Sequence, residues 1–551
     1  MTRKRLTRNN EKRSLRGRVN LNSSNETNDT SRVQVARAAG IIALGNVASR
    51  ILGLVRETVK ANLFGAGGNV SALDTAMSIP VIIYDLLVGG MISSALIPVL
   101  SDYATPEHRT EMWHVLSIIL NAICLLVSAL LVAGELFTPQ IIRLSAGGLS
   151  AADQALASNL LRLMLPGVLF LSLASVLSGA LYALNRFTLP AFTPAIFNVA
   201  VVIVALVLGR RWGVYSMAVG LLIGSILQVA LQLPGLRDVP FTLTFDLRHP
   251  ALRRIGRLYL PILIGLTVDK LAELLSYRLA SHTGAASISW MKYSATMIQL
   301  PLGLVVTAIS IAILPTLSRQ ANEAQPGPFK TTLAQGLRLV LTLTIPATIG
   351  LWVLAHPIIA LVFEHGDFSP VDTMATVAAL RCHLVGLIFA AIDQPLIFAF
   401  YARKDTWTPA LVGVLTVILY VILNAIPILF ASLTLNLLIL ANSIKWAVHA
   451  LMMLILMQRA IGGLHGHDIW QVIVKGALAS AVMGGLVYLF IQVTTPLIPQ
   501  NTLGEFILVG GGGFLGIAIY AVLSVLLGIR DVATLWHAIV RWYRGLKASL
   551  Q

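Results

Sequence analysis

Charge is scarce in this chain. Only 12% of its 551 residues are Asp, Glu, Lys or Arg, while 56% are hydrophobic. That balance excludes an ordinary soluble domain and a disordered one, and the mean hydropathy of +0.81 points to a polytopic membrane protein. Cysteine is nearly absent. Cys124 and Cys382 both fall in apolar stretches without metal-ligand spacing, which excludes a disulfide framework and a cysteine-bound zinc, and no metal is assigned. Enzyme signatures are missing too: there is no phosphate-cradling Walker loop, no His-Glu-x-x-His pair and no polar domain large enough to house a catalytic centre. The chain reads as a non-enzyme with no cofactor.

What is present is an all-α pattern of about fourteen membrane-length runs punctuated by Gly and Pro. They are expected at 36–63, 73–101, 111–137, 156–184, 190–209, 213–235, 256–281, 289–319, 331–362, 371–402, 408–430, 433–459, 470–494 and 505–528. Acids are fewer than bases, 24 against 40. Much of the excess lies in the first 33 residues, from Arg3 to Arg18, around Arg237 to Arg257, and in Arg530, Arg541, Arg544 and Lys547. Basic segments of this kind favour the cytoplasmic side, so both termini are expected there; nucleic-acid binding is not. The 1–33 tail reads as disordered and uncleaved.

Two parallel halves are visible in the sequence. At an offset of 219 residues, Leu161, Arg162, Leu165, Gly167 and Phe170 fall on Leu380, Arg381, Leu384, Gly386 and Phe389. Ala180, Tyr182, Ala183, Pro190 and Ala191 fall on Ala399, Tyr401, Ala402, Pro409 and Ala410. At an offset of 217, Ile97-Pro98-Val99-Leu100-Ser101 falls on Leu314-Pro315-Thr316-Leu317-Ser318. An even number of spans per half makes the repeats parallel, with cargo expected between two six-helix lobes. The organisation is therefore 1–33 basic tail, 34–236 first lobe, 237–255 basic linker, 256–459 second lobe, 460–528 two additional helices and 529–551 basic tail.

The few charges inside the spans are informative, because an arginine facing lipid costs about 3 kcal/mol or more at bilayer depth. On a helix, Asn46, Ser49, Arg50, Gly53, Arg56, Glu57 and Lys60 share one arc of about 120°, whereas Leu52, Leu54, Val55 and Val59 cover the rest. One face is thus wet and cationic, suiting an anionic cargo; the bland alternative is that the arginines snorkel or pair with Glu57. Asp74 and Asp85 lie on the second span. Asp269, Lys270 and Glu273 on the seventh, with Lys292 at the start of the eighth, form either an anion and cation-coupling site or a self-neutralising knot. Asp393, beside Gln394 and Pro395, suits a helix break or an ion role, and Lys445 with His449 shares a face near the interface.

The stretch SRILGLVRETVKANLFGAG at 49–67 resembles the opening of the MurJ/MviN family, lipid II flippases of the MOP transporter superfamily. LNRFTLPAFTPAIFN at 184–198, SISWMKYS at 287–294, ILPTLS at 313–318 and FYARKDTWTP at 400–409 resemble its landmarks, in order. The resemblance implies a V-shaped, two-lobed transporter in the bacterial cytoplasmic membrane, serving peptidoglycan synthesis and cell shape. It would move an undecaprenyl-pyrophosphate-linked disaccharide peptide outward by alternating access, with the last two helices offering a groove for the lipid tail. It also implies coupling to membrane potential or a monovalent cation, and contact with membrane lipids and cell-wall synthesis proteins. Arg50 and Arg56 match the family's two first-helix arginines. Elsewhere, Ser71, Tyr84, Ser276, Thr296 and Gln299 stand where the family carries charged residues. Substrate contacts are accordingly expected from Arg50, Arg56, Lys270 and Asp74, with Glu57, Lys60, Asp269, Glu273, Lys292 and Asp393 as a coupling or cavity network. Such departures suit a flippase in which Lys270 and Lys292 replace missing arginines. The alternatives to lipid II export are an exporter of another lipid-linked oligosaccharide or amphiphile, or a nontransporting scaffold.

Overall fold

The computed structural model describes residues 40–104, 107, 109–236, 244, 246, 249–321, 327–430, 432–464, 466–529 and 531. The basic tail expected at 1–33, most of the linker and nearly all of the 529–551 segment lie outside the described residues. Within them the chain is all helix: α1 (40–64), α2 (Gly68–Tyr84), α3 (Ile97–Asp102), α4 (Arg109–Ala146), α5 (Ala151–Ala183), α6 (Thr188–Trp212), α7 (Tyr215–Gln232) and α8 (Pro250–Ser281). There follow α9 (Ser287–Pro301), α10 (Thr307–Gln320), α11 (Gly327–Val353), α12 (Ala355–Phe363), α13 (Pro370–Ala402), α14 (Trp407–Phe430), α15 (Leu435–Ile461), α16 (Ile469–Thr494) and α17 (Thr502–Leu526).

Local chemistry sets the ends. Ser369 accepts from the Asp372 amide while the Asp372 carboxylate accepts from the Ser369 amide, a capping box that starts α13. Thr434 and Asn501 cap α15 and α17, and α15 stops where Gly462 takes a left-handed conformation. Twelve described stretches are long and apolar enough to cross a membrane by length and composition. The two expected spans outside that set, α1 and α8, are long enough but carry the charge clusters. The ninth expected span, 331–362, is two helices broken at Leu354, because Pro357 at the third position of α12 would drive its ring into the preceding turn of a continuous helix. Helix α8 begins at Pro250, inside the expected linker.

Helices α2, α4, α5, α6 and α7 pack together, as do α9, α10, α11, α13, α14 and α15. Helix α16 lies against α11, and α17 against α16 and α12. Helix α8 bridges: Ala251, Ile255 and Tyr259 join the core around α2–α5, whereas Tyr277 and Ala280 pack with Tyr420 and Leu438. Between α2 and α3, and between α9 and α10, the helix widens into π turns at Asp85–Gly89 and Leu302–Val306, which lie at the 217-residue offset seen in the sequence. Large side chains such as Phe430, Phe514 and Ile517 are more than 70% exposed, an apolar exterior that suits lipid.

One end of the helix array is sealed. The Asp367 amide donates to the Asn62 carbonyl at 3.0 Å, Tyr293 Oη to the Gly65 carbonyl at 2.8 Å, and Ser289 Oγ to the Ala66 carbonyl at 2.9 Å. Gly366 has φ +59°, and a Cβ there would sit 2.1 Å from the Asn62 oxygen, so only glycine permits this approach. Arg278 reaches the Arg143 and Leu144 carbonyls at the same face, which gathers the α1–α2, α4–α5, α8–α9 and α12–α13 turns.

Candidate functional site

Helix α1 turns its polar arc inward as the periodicity requires. Asn46, Ser49, Arg50, Gly53, Arg56 and Glu57 line a cavity of about 460 Å³ whose opposite wall is α9 and its π turn, through Lys292, Thr296, Gln299 and Gly303. Arg50 Nη1 donates to Gln299 Oε1 at 2.7 Å. Arg56 Nη1 donates to Asn198 Oδ1 at 3.1 Å, and its Nη2 to Glu57 Oε1 at 2.8 Å. Asn198 is itself held by donating to the Ser49 and Pro194 carbonyls, so α6 fixes the Arg56 guanidinium. A Cβ on Gly303 would lie 2.8 Å from the Arg50 guanidinium carbon, which makes this glycine the condition for the guanidinium to lie against the π turn.

Lys60 leaves the wet arc. It is 1% exposed and sits 2.6 Å from Glu57, 2.7 Å from Asp74 and 4.5 Å from the centroid of the Tyr293 ring. Asp74 is 3% exposed and lines neither polar cavity; the buried Lys60 ammonium occupies it. Lys270 is also elsewhere. It pairs with Asp85 at 2.8 Å and Glu273 at 3.1 Å, tying α8 to the first π turn, and does not reach the cavity holding Arg50. The two residues expected to join the arginines on the cargo are thus committed to opposite charges instead, Asp74 to Lys60 of α1 and Lys270 to Asp85 of the first π turn and Glu273 of its own helix.

Lys292, expected beside Lys270, is the lysine found at the Arg50 cavity. It lines the Arg50 cavity and a second one of about 530 Å³, touches the Tyr277 hydroxyl at 3.4 Å, and has no carboxylate within 4 Å among the described residues. The second cavity brings together Asp269, Glu273, Asp393, Lys445 and His449 from α8, α13 and α15. Asp393 lies 2.8 Å from His449 Nδ1, a bonded carboxylate as the helix-break reading had it, but α13 runs unbroken through Pro395. Ser276 meets the Tyr420 hydroxyl at 2.8 Å in the same wall. Sequence reasoning missed Asn198 and treated Thr296 and Gln299 only as losses. Asn198 was detectable as an amide in an otherwise apolar run, whereas Gln299 becomes a partner of Arg50 only through the packing of α9 on α1.

A cationic cavity of this size at mid-helix can hold a compact anion by charge-assisted hydrogen bonds from planar guanidinium groups. The comparisons agree with that chemistry. Residues 60–505 match the family described as lipid II flippase MurJ. A probable lipid II flippase MurJ of Vibrio cholerae serotype O1 is 30% identical over 514 residues, covering 89% of this chain and 95% of the relative. The lipid II flippase MurJ of Burkholderia cenocepacia is 29% identical over 376 residues, 66% of this chain and 73% of the relative. A solved lipid II flippase MurJ in an inward closed conformation superposes with TM-score 0.75 at 26% identity, covering 89% of this chain and 99% of that one. An inward-facing multidrug resistance MATE transporter of the MOP superfamily shares the fold alone, at TM-score 0.64 and 15% identity over 77% of this chain and 98% of that one. The chain is a multi-pass bacterial membrane protein that belongs to the lipid II flippase MurJ family.

Proposed function

We propose that this protein is a lipid II flippase, carrying the undecaprenyl-pyrophosphate-linked peptidoglycan precursor from the inner to the outer leaflet by alternating access. The observation that carries the reading is the cavity in which Arg50, Arg56 and Lys292 face one another across α1 and α9. Pyrophosphate is a concentrated anion, and planar guanidinium groups give it well-oriented, charge-assisted hydrogen bonds. The sealed end would face outward and the basic termini inward, so that cargo enters from the cytoplasmic side and leaves when the Asn62–Gly366 closure parts. Membrane potential favours outward movement of net negative cargo, and a monovalent cation would reset the carrier. Cell-wall synthesis proteins would supply and consume the lipid on either side.

The test is binding of undecaprenyl pyrophosphate to the purified protein. Arg50→Ala and Arg56→Ala are each expected to weaken it by about tenfold or more, the loss of one charge-assisted contact, while folding is retained. Wild-type affinity in both variants would refute the assignment. Lys270→Ala separates the two lysines: it is expected to leave pyrophosphate affinity unchanged, whereas Lys292→Ala lowers it.

A further inference from the structure

Glu57 is shared between two cations that face different parts of the molecule. Its Oε1 accepts from Arg56 Nη2 at 2.8 Å at the Arg50 cavity, and its Oε2 lies 2.6 Å from the buried Lys60 Nζ. Lys60 in turn sits 4.5 Å from the centre of the Tyr293 ring. Tyr293 is fully buried and touches both turns that close the sealed end. Its hydroxyl donates to the Gly65 carbonyl of the α1–α2 turn at 2.8 Å, while its ring packs on Phe363 and Phe368, either side of Gly366, at centroid separations of 4.9 and 5.5 Å. The Asp367 amide joins the same two turns through the Asn62 carbonyl at 3.0 Å. A continuous series of contacts therefore runs from the cavity guanidinium to the seal. Beyond Arg56 it is buried, so a change of charge at Glu57 is felt at Lys60 with little screening.

We propose that Lys60 and Tyr293 couple the cargo site to the sealed end, so that the loaded carrier opens there more readily than the empty one. This rests on the pyrophosphate reading of the Arg50 cavity. A pyrophosphate that draws Arg56 to itself leaves Glu57 Oε1 without its donor, and the carboxylate then turns its full charge on Lys60. The ammonium shifts toward Glu57 and away from the Tyr293 ring, giving up a cation–π contact that is strongest where water is excluded. Tyr293 then pins the two turns less firmly. Asp74, 2.7 Å from Lys60 Nζ, keeps the ammonium paired throughout, so the shift exposes no bare charge. Cargo thus removes a contact that only the closed seal makes, and a ligand moves a conformational equilibrium only through such a difference between states.

The experiment reads the seal with Ser71→Cys in protein whose Cys124 and Cys382 are replaced by alanine. Ser71 is 0% exposed, meets Ser289 Oγ at 3.3 Å beside the seal and lines neither polar cavity, so a thiol reagent reaches it when the seal parts and bound lipid does not cover it. Purified protein is labelled with a water-soluble thiol reagent, with and without saturating undecaprenyl pyrophosphate, and binding of the lipid is measured in parallel. The lipid is expected to speed labelling about fivefold or more, the lower end of coupling between sites. Lys60→Met combined with Asp74→Asn removes the ammonium without stranding the Asp74 charge. It should bind the lipid within about threefold of the unsubstituted reporter and respond by less than about twofold. Tyr293→Phe, which keeps the ring and loses only the Gly65 bond, should label faster without lipid and respond equally little; it decides the matter if the double variant fails to fold. Lipid that binds without speeding labelling, or that slows it, would overturn the inference and leave the pyrophosphate reading intact, as would a full response in either variant. Absence of lipid binding, or binding that survives Arg56→Ala undiminished, would overturn the pyrophosphate reading and the inference together.

Discussion

Lys60→Met separates a structural knot from a cargo site. The Lys60 ammonium is 1% exposed and bridges two carboxylates that are themselves 4% and 3% exposed, at 2.6 Å and 2.7 Å. Methionine fills similar volume but strands the charge of Asp74, whose Oδ2 has no hydrogen-bond partner, and leaves Glu57 with Arg56 alone. Breaking a buried pair from one side costs about 3–5 kcal/mol, a factor of at least about a hundred in the folding equilibrium. Asp74→Asn added to Lys60→Met removes the stranded charge and should recover most of that loss, leaving a deficit of about 1–2 kcal/mol. Denaturant unfolding of the detergent-solubilised protein, followed by tryptophan fluorescence, measures both. Wild-type stability for Lys60→Met combined with lost pyrophosphate binding would refute the reasoning, because Lys60 would then be serving the cargo instead of the fold.

Other consequences follow from single contacts. Gly303→Val places side-chain atoms where the Arg50 guanidinium now lies, 2.8 Å from the Cβ position, and should lower pyrophosphate affinity severalfold with little change in unfolding. Asn198→Leu removes the hydrogen bond that aims Arg56 and should weaken binding by about tenfold, read in the same assay. Gly366→Ala combines φ +59° with a 2.1 Å clash against Asn62, so the sealed end should open more often. A membrane-impermeant thiol reagent applied from outside should then label Thr296→Cys faster than it does with Gly366 in place. Arg338 holds Asp531 through two bonds of 2.7 and 3.0 Å; Arg338→Ala should cost about 1.5–3 kcal/mol and speed proteolysis after α17.

Most of the helices were legible because membrane-length apolar runs leave little choice of element, and even the repeat surfaced again as paired π turns at the expected offset. The break at Leu354 was missed because hydropathy does not register a proline three residues beyond it. Within the site, the polar arc of α1 follows from one helix alone and was readable. Which charges face the cargo and which face each other depends on neighbouring helices: Lys270 meets Asp85, Asp74 meets Lys60, and Lys292 meets no carboxylate. No pattern within one span distinguishes those outcomes. Gln299 likewise became visible as a partner of Arg50 only when α9 was placed against α1.

The most direct test of the central claim is lipid II translocation in proteoliposomes holding equal amounts of wild type or the Arg50→Ala/Arg56→Ala variant, with a membrane potential imposed. The cavity predicts that wild type carries lipid II between leaflets and that the variant, folded and inserted, does not. Equal translocation by both, or none by correctly inserted wild type, would contradict the account.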